Sequence, residues 1–206
     1  WDLLAEAGGN RWNIPVEFGG DGADGTEMLE VYRELAAGSL LTTFILTQRN
    51  AACQRIETSA NISAKSNLMP KLCNGDVFAT VGISHLTTSR QHVASPSVVA
   101  VQDSRSNGYH LTGSVPWATG ALSADILVTG GTLADGRQIL VALPTSCEGI
   151  RIQAPVALMG LSSSQTSIVE LDHVFVSQDL ILHGPIERVM SSGTGGGAGS
   201  LATSAV

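Results

Sequence analysis

The texture of the sequence changes at Gly75, and that change constrains the fold more than any other feature. Before it, apolar residues return with a helical period. Met28, Val31, Tyr32 and Leu35 fall at i, i+3, i+4 and i+7, which predicts an amphipathic helix stopped near Gly38. Trp1, Leu4 and Ala5 share one face of an earlier helix that Gly8-Gly9 would end. Leu41, Phe44 and Ile45 open another helix reaching about Ile56, and a further helical stretch lies between Asn61 and Cys73, with Pro70 expected to start a new turn inside it. The Pro- and Gly-rich run Asn13-Ile14-Pro15-Val16-Glu17-Phe18-Gly19-Gly20-Asp21-Gly22 is a loop.

After Gly75, short β-branched runs are separated by Gly, Asn, Asp, Ser and Pro. They predict strands over 77–84, 97–103, 109–115, 125–130, 138–143, 150–153 and 167–176. Gly108-Tyr109-His110-Leu111-Thr112-Gly113 alternates with the period of a half-buried strand, and Asp135-Gly136 between two apolar runs is a hairpin signal. The fold class is therefore α+β: a helical segment over 1–75, then an antiparallel β-barrel or sandwich over 76–183. Beyond Gly184-Pro185 the β texture gives way to a Ser/Gly/Thr/Ala stretch. Residues 184–206 read as a linker and the start of a further helical domain, in a chain that reads as a piece of something longer.

Composition narrows the function classes. Only 14% of residues are charged and the formal net charge is −7, with no cluster of Lys or Arg to neutralise phosphates, so a nucleic-acid partner is not expected. Apolar runs such as 139–144 are strand-length, far short of the roughly 20 residues that span a bilayer. Cys53, Cys73 and Cys147 are odd in number and far apart, which reads as reduced thiols in a cytoplasmic protein. The five histidines show no ligand spacing, and no metal is expected. Gly193-Thr194-Gly195-Gly196-Gly197-Ala198 fits a dinucleotide pattern, but no strand leads into it and no βαβ unit surrounds it.

Three stretches, in order, carry a resemblance: Trp1-Asp2-Leu3-Leu4-Ala5-Glu6-Ala7-Gly8 followed by Ile14-Pro15-Val16-Glu17-Phe18-Gly19-Gly20; Gly108-Tyr109-His110-Leu111-Thr112-Gly113 followed by Trp117-Ala118-Thr119-Gly120; and Asp172-His173-Val174-Phe175-Val176. Together they resemble the acyl-CoA dehydrogenase family, in which a helical domain, a middle β-domain and a C-terminal helical domain follow one another. The resemblance implies FAD as cofactor. It implies that Trp117 lies against the flavin ring, that the Thr119 hydroxyl meets the flavin N5 edge, and that Ser84 and Ser89 contact the flavin's pyrimidine edge and pyrophosphate. An indole offers a planar apolar surface, and hydroxyls both donate and accept. Trp117 and Thr119, two apart on a strand, would share a face. One departure stands out: Ser84-His85-Leu86-Thr87-Thr88-Ser89-Arg90 replaces the family's acidic, Gly-rich flavin loop, and Arg90, where an Asp is usual, suits a phosphate.

The implied reaction is α,β-dehydrogenation of an acyl-CoA thioester, with hydride passing to FAD and on to an electron-transfer flavoprotein, in a homodimer or homotetramer. No carboxylate here matches the family's catalytic base; Glu187 lies too early. Two alternatives stay open: a flavin-dependent oxygenase on the same fold, and a silent relative acting as a binding or assembly subunit.

Overall fold

A computed structural model describes residues 2–87 and 95–191. The expectations placed on Ser89, Arg90 and residues 192–206 lie outside these described residues.

The helical part is built from α1 (Asp2–Glu6), α2 (Gly25–Gly38), α3 (Leu40–Glu57) and α4 (Ile62–Asn74). Each of the three longer helices starts where a capping side chain stands ready. Asp24 accepts hydrogen bonds from the amides of Thr26 and Glu27 at 2.7 and 3.0 Å, while Glu27 accepts from the Asp24 amide, a reciprocal capping box. Ser39 caps α3 and Asn61 caps α4 in the same sense. Helix α4 ends at Gly75, whose φ of 84° is the left-handed turn that glycine adopts without strain. Pro70 does not start a new turn. The helix runs through it, because proline removes a single backbone bond while Leu68, Met69, Leu72 and Cys73 hold the same helix face in the core.

Among the described residues, the β part is one mostly antiparallel sheet of eight strands: β1 (Ala79–Val81), β2 (Val98–Gln102), β3 (Gly108–Ala118), β4 (Ile126–Thr132), β5 (Gln138–Pro144), β6 (Ile150–Ile152), β7 (Ser167–Ser177) and β8 (Ile181–Ile186). They are ordered β6-β7-β3-β2-β4-β5-β8, with β1 pairing β4. The β4–β5 hairpin turns at Asp135-Gly136 as its sequence indicates. Two features depart from expectation. β1 runs parallel to β4, and β2 also meets β4 in parallel. An eighth strand, β8, carries the β-structure to Ile186, past the Gly184-Pro185 step where it was expected to end. That step is a cis peptide within the strand.

Strands β4 and β5 are buried on both faces, and this decides how the two parts meet. Ile126, Val128, Leu140 and Ala142 face a core completed by Ala52, Cys53 and Ile56 of α3 and by Leu68, Met69 and Leu72 of α4. The alternate residues Leu127, Ile139, Val141 and Leu143 face a second core with Leu111, Val115, Val169 and Val174. Helices therefore cover one face of the central hairpin, and the remaining strands wrap the other. Cys53 and Cys73 are buried free thiols and Cys147 is half-buried. Among the described residues, no helix is long and apolar enough to cross a membrane.

One charged side chain organises the helical part. Arg49, on α3, is only 1% exposed. Its Nη1 donates to Asn13 Oδ1 and Asn50 Oδ1, both at 3.0 Å, and its Nη2 donates to the carbonyls of Asn10 at 2.7 Å and Leu72 at 2.6 Å. It thus ties α3 to the loop after α1 and to the end of α4. Replacing Arg49 by Leu leaves three buried acceptors and the half-buried Asn13 amide oxygen without their donor. It is expected to cost about 3–5 kcal/mol in urea unfolding, since each orphaned group costs roughly 1–3 kcal/mol and neighbours relax in part.

Candidate functional site

The segment leading out of α4 lies along residues 117–120. Phe78 starts it, its carbonyl accepting from the amides of Asp125 and Ile126. Thr80 Oγ1 donates to the carbonyl of Thr119 at 2.7 Å. Gly82 follows, donating its amide to Val128 and accepting at its carbonyl from Thr129 Oγ1. A Cβ on Gly82 would stand 2.5 Å from Val115 Cγ1 and 3.4 Å from the Trp117 carbonyl oxygen, so only glycine lets this backbone lie against the end of β3. Ser84 comes two residues later. It opens a short helical turn, α5 (Ser84–Thr87), rather than closing a strand. The fold therefore brings the Ser84 segment to the Trp117 end of β3.

Trp117 and Thr119 do not share a face. Trp117 is 48% exposed while Thr119 is 5% exposed. Strand β3 ends at Ala118 and Gly120 takes a left-handed φ of 66°, so strand alternation stops before Thr119. The Thr119 hydroxyl is instead 3.0 Å from Thr166 Oγ1, which is 2.8 Å from Ser164 Oγ. These three hydroxyls form a buried chain that pins the 117–120 corner to the 3-10 turn Ser162–Ser164 and to Thr166, the residue just before β7.

Ser84 and His85 hold a different kind of position. The Ser84 hydroxyl oxygen and His85 Nδ1 are buried, and among the described residues neither has a hydrogen-bond partner. His85 Nε2 lies 3.0 Å from the Gly130 carbonyl. A carbonyl only accepts, so Nε2 carries the ring proton and Nδ1 is left as an acceptor. Burial pushes the His85 pKa down, partly offset by that bond to Gly130. The sequence offered His85 only as a polar loop residue, and no local pattern marks it as packed against β4. Ser89 and Arg90 lie outside the described residues.

Residues 1–76 match the family model of the acyl-CoA dehydrogenase N-terminal domain. That match places the helical part, residues 1–76, with the N-terminal domains of acyl-CoA dehydrogenases. Among curated relatives, a dibenzothiophene monooxygenase of Rhodococcus erythropolis is 28% identical over 185 residues, covering 86% of the chain. The chain spans 43% of that relative's length. Among solved structures, a glutaryl-coenzyme A dehydrogenase in complex with glutaryl-CoA superposes with a TM-score of 0.78 at 24% identity, covering 91% of this chain and 48% of that one. An acyl-CoA dehydrogenase of Bacillus anthracis complexed with FAD gives a TM-score of 0.78 at 17% identity, covering 88% and 31%. These structural likenesses establish that the chain shares their fold.

Burial of two histidines sets a pH dependence. His85 and His183 both have pKa values lowered by desolvation, His183 further by Arg55. Unfolding restores the ordinary value of about 6.5, so the unfolded chain binds more protons below it. Stability is expected to be full above that value and to fall as pH drops through it towards the depressed folded values. Urea unfolding midpoints between pH 8 and pH 5 measure the loss, and His85→Gln is expected to flatten part of it.

Proposed function

We propose that this chain forms the flavin-binding part of an FAD-dependent oxidoreductase, with its site at the corner where the Ser84 segment meets Trp117. The observation that carries the reading is the buried Ser84 hydroxyl, without a hydrogen-bond partner among the described residues, on a segment that crosses the end of the strand bearing the half-exposed Trp117. A flavin needs flat apolar surface for its ring and hydrogen-bonding groups for its edge. Trp117 supplies the first and Ser84 the second. Thr119 takes part by holding the corner through Thr166, and its carbonyl is held by Thr80. A direct contact from its hydroxyl would require the chain to Thr166 to open. Ser89 is proposed to meet the pyrophosphate.

When bound, FAD would supply hydride acceptance or, once reduced, reaction with oxygen; the protein's task is to bind, orient and exclude water. Relatives matched across most of the chain are monooxygenases of an apolar sulfur heterocycle, which favours oxygenation as the reaction. The second reading is α,β-dehydrogenation of an acyl-CoA thioester, favoured by the fold shared with glutaryl-CoA dehydrogenases. It carries with it an electron-transfer flavoprotein as acceptor and a homodimer or homotetramer as the working form.

Visible absorption of the purified protein, reconstituted with FAD, tests the reading. Retained flavin that stays oxidised with an anaerobic acyl-CoA panel, but whose reduced form oxygenates dibenzothiophene in air, supports oxygenation. Bleaching by a thioester supports dehydrogenation. Absence of retained flavin refutes the proposal and leaves a fold used for binding or assembly. Trp117→Ala is expected to weaken FAD binding about tenfold, since a stacked aromatic contact contributes roughly 0.5–1.5 kcal/mol beyond its buried area.

A further inference from the structure

The helical part contains a cavity of about 460 Å³ between α2, α3 and the loop that precedes α2, lined by none of the residues of the Trp117 corner. Met28, Pro15, Val16 and Ala51 give it apolar walls, and Tyr32 and Asn50 lie at its floor. The size falls within the range of small-molecule sites.

The orientation of the floor follows from one fixed fact, that a guanidinium only donates. Arg49 Nη1 lies 3.0 Å from the Asn50 side chain, so the atom facing it is the amide oxygen. The Asn50 amide nitrogen must then face Tyr32, 2.8 Å from its hydroxyl oxygen. An amide N–H donates, so the Tyr32 oxygen accepts there and the phenol proton must point elsewhere. No described residue accepts it, Tyr32 is only 4% exposed, and its ring borders the cavity. Buried Arg49 thus acts through Asn50 to present the Tyr32 O–H donor to a space whose apolar walls are interrupted by Asn13, Thr47, Gln54, Asp24 and Glu57.

The charge at the walls narrows the ligand further. Asp24 and Glu57 are the charged lining residues, and no Lys or Arg lines the cavity. The Asp24 carboxylate is engaged with the amides of α2. An anion would be repelled, whereas a neutral molecule with one acceptor meets the Tyr32 donor without desolvating a charge.

We propose that this cavity is a second small-molecule site, independent of the flavin reading, for a compact neutral apolar molecule bearing one carbonyl-type acceptor hydrogen-bonded by Tyr32. The experiment compares acetophenone with ethylbenzene, similar in shape and differing in the carbonyl, by ligand-observed NMR titration of the full chain. Acetophenone is expected to bind at least about fivefold more tightly, the effect of one hydrogen bond to a buried donor. Tyr32→Phe should bring both probes to equal affinity. Asn50→Asp should do the same with Tyr32 intact, because a carboxylate facing Tyr32 accepts the phenol proton while still pairing with Arg49. Ala51→Phe should abolish binding of both, with the circular dichroism spectrum unchanged. Equal affinity in the unmodified chain, binding of neither probe, a carbonyl preference that survives Tyr32→Phe or Asn50→Asp, or binding that survives Ala51→Phe would each overturn the proposal.

Discussion

The burial of Arg49 is the constraint around which the helical part is arranged. Its charge is held by four neutral oxygens rather than by a carboxylate, two of them backbone carbonyls from segments on either side of α3. A guanidinium can serve this purpose because its donors are spread over a rigid plane and its charge is diffuse. Two of its acceptors lie in the loop after α1, one on α3 itself and one near the end of α4, so these three segments are positioned together. That same arrangement fixes which way the Asn50 amide faces, and hence what Tyr32 can offer the cavity beside it.

The two-sided burial of β4 and β5 extends this order into the sheet. With α3 and α4 on one face and the wrapped strands on the other, the central hairpin has no exposed face, and its edges become the places where chemistry can be presented. β1 pairs with β4 and then passes the end of β3 at Gly82, where a side chain would collide with Val115. The corner holding Trp117 and the segment holding Ser84 are therefore consequences of how the helices deliver the chain into the sheet. The hydroxyl chain from Thr119 to Ser164 then locks that corner against the turn that leads into β7.

Period and punctuation made most of the elements legible in the sequence. The four-residue repeat from Met28 to Leu35 and the Asp-Gly signal at Asp135-Gly136 each report a local preference that tertiary packing reinforces. Where packing overrode local signals, the sequence misled. Pro70 reads as the start of a new turn, but the apolar face around it carries α4 straight through. Gly184-Pro185 reads as the end of β-structure, yet β8 pairs with β5 across it. The expectation that Trp117 and Thr119 share a face assumed a strand continuing through both, and the left-handed turn at Gly120 ends it one residue early. Arg49 carries no pattern at all: a lone arginine on a helix reads as a solvated side chain, and only its partners from distant segments show otherwise. The orientation of Tyr32 is equally invisible, because it depends on a chain of donors that no spacing encodes.

The central claim is that the Ser84 segment and the Trp117 corner form the flavin surface, and hydrogen–deuterium exchange with and without FAD tests it most directly. The account expects FAD to slow amide exchange in residues 82–87 and 117–120 while leaving the cavity-lining face of α3 unchanged. Protection confined to other strands or to the helical part, with 82–87 and 117–120 exchanging as before, would contradict it.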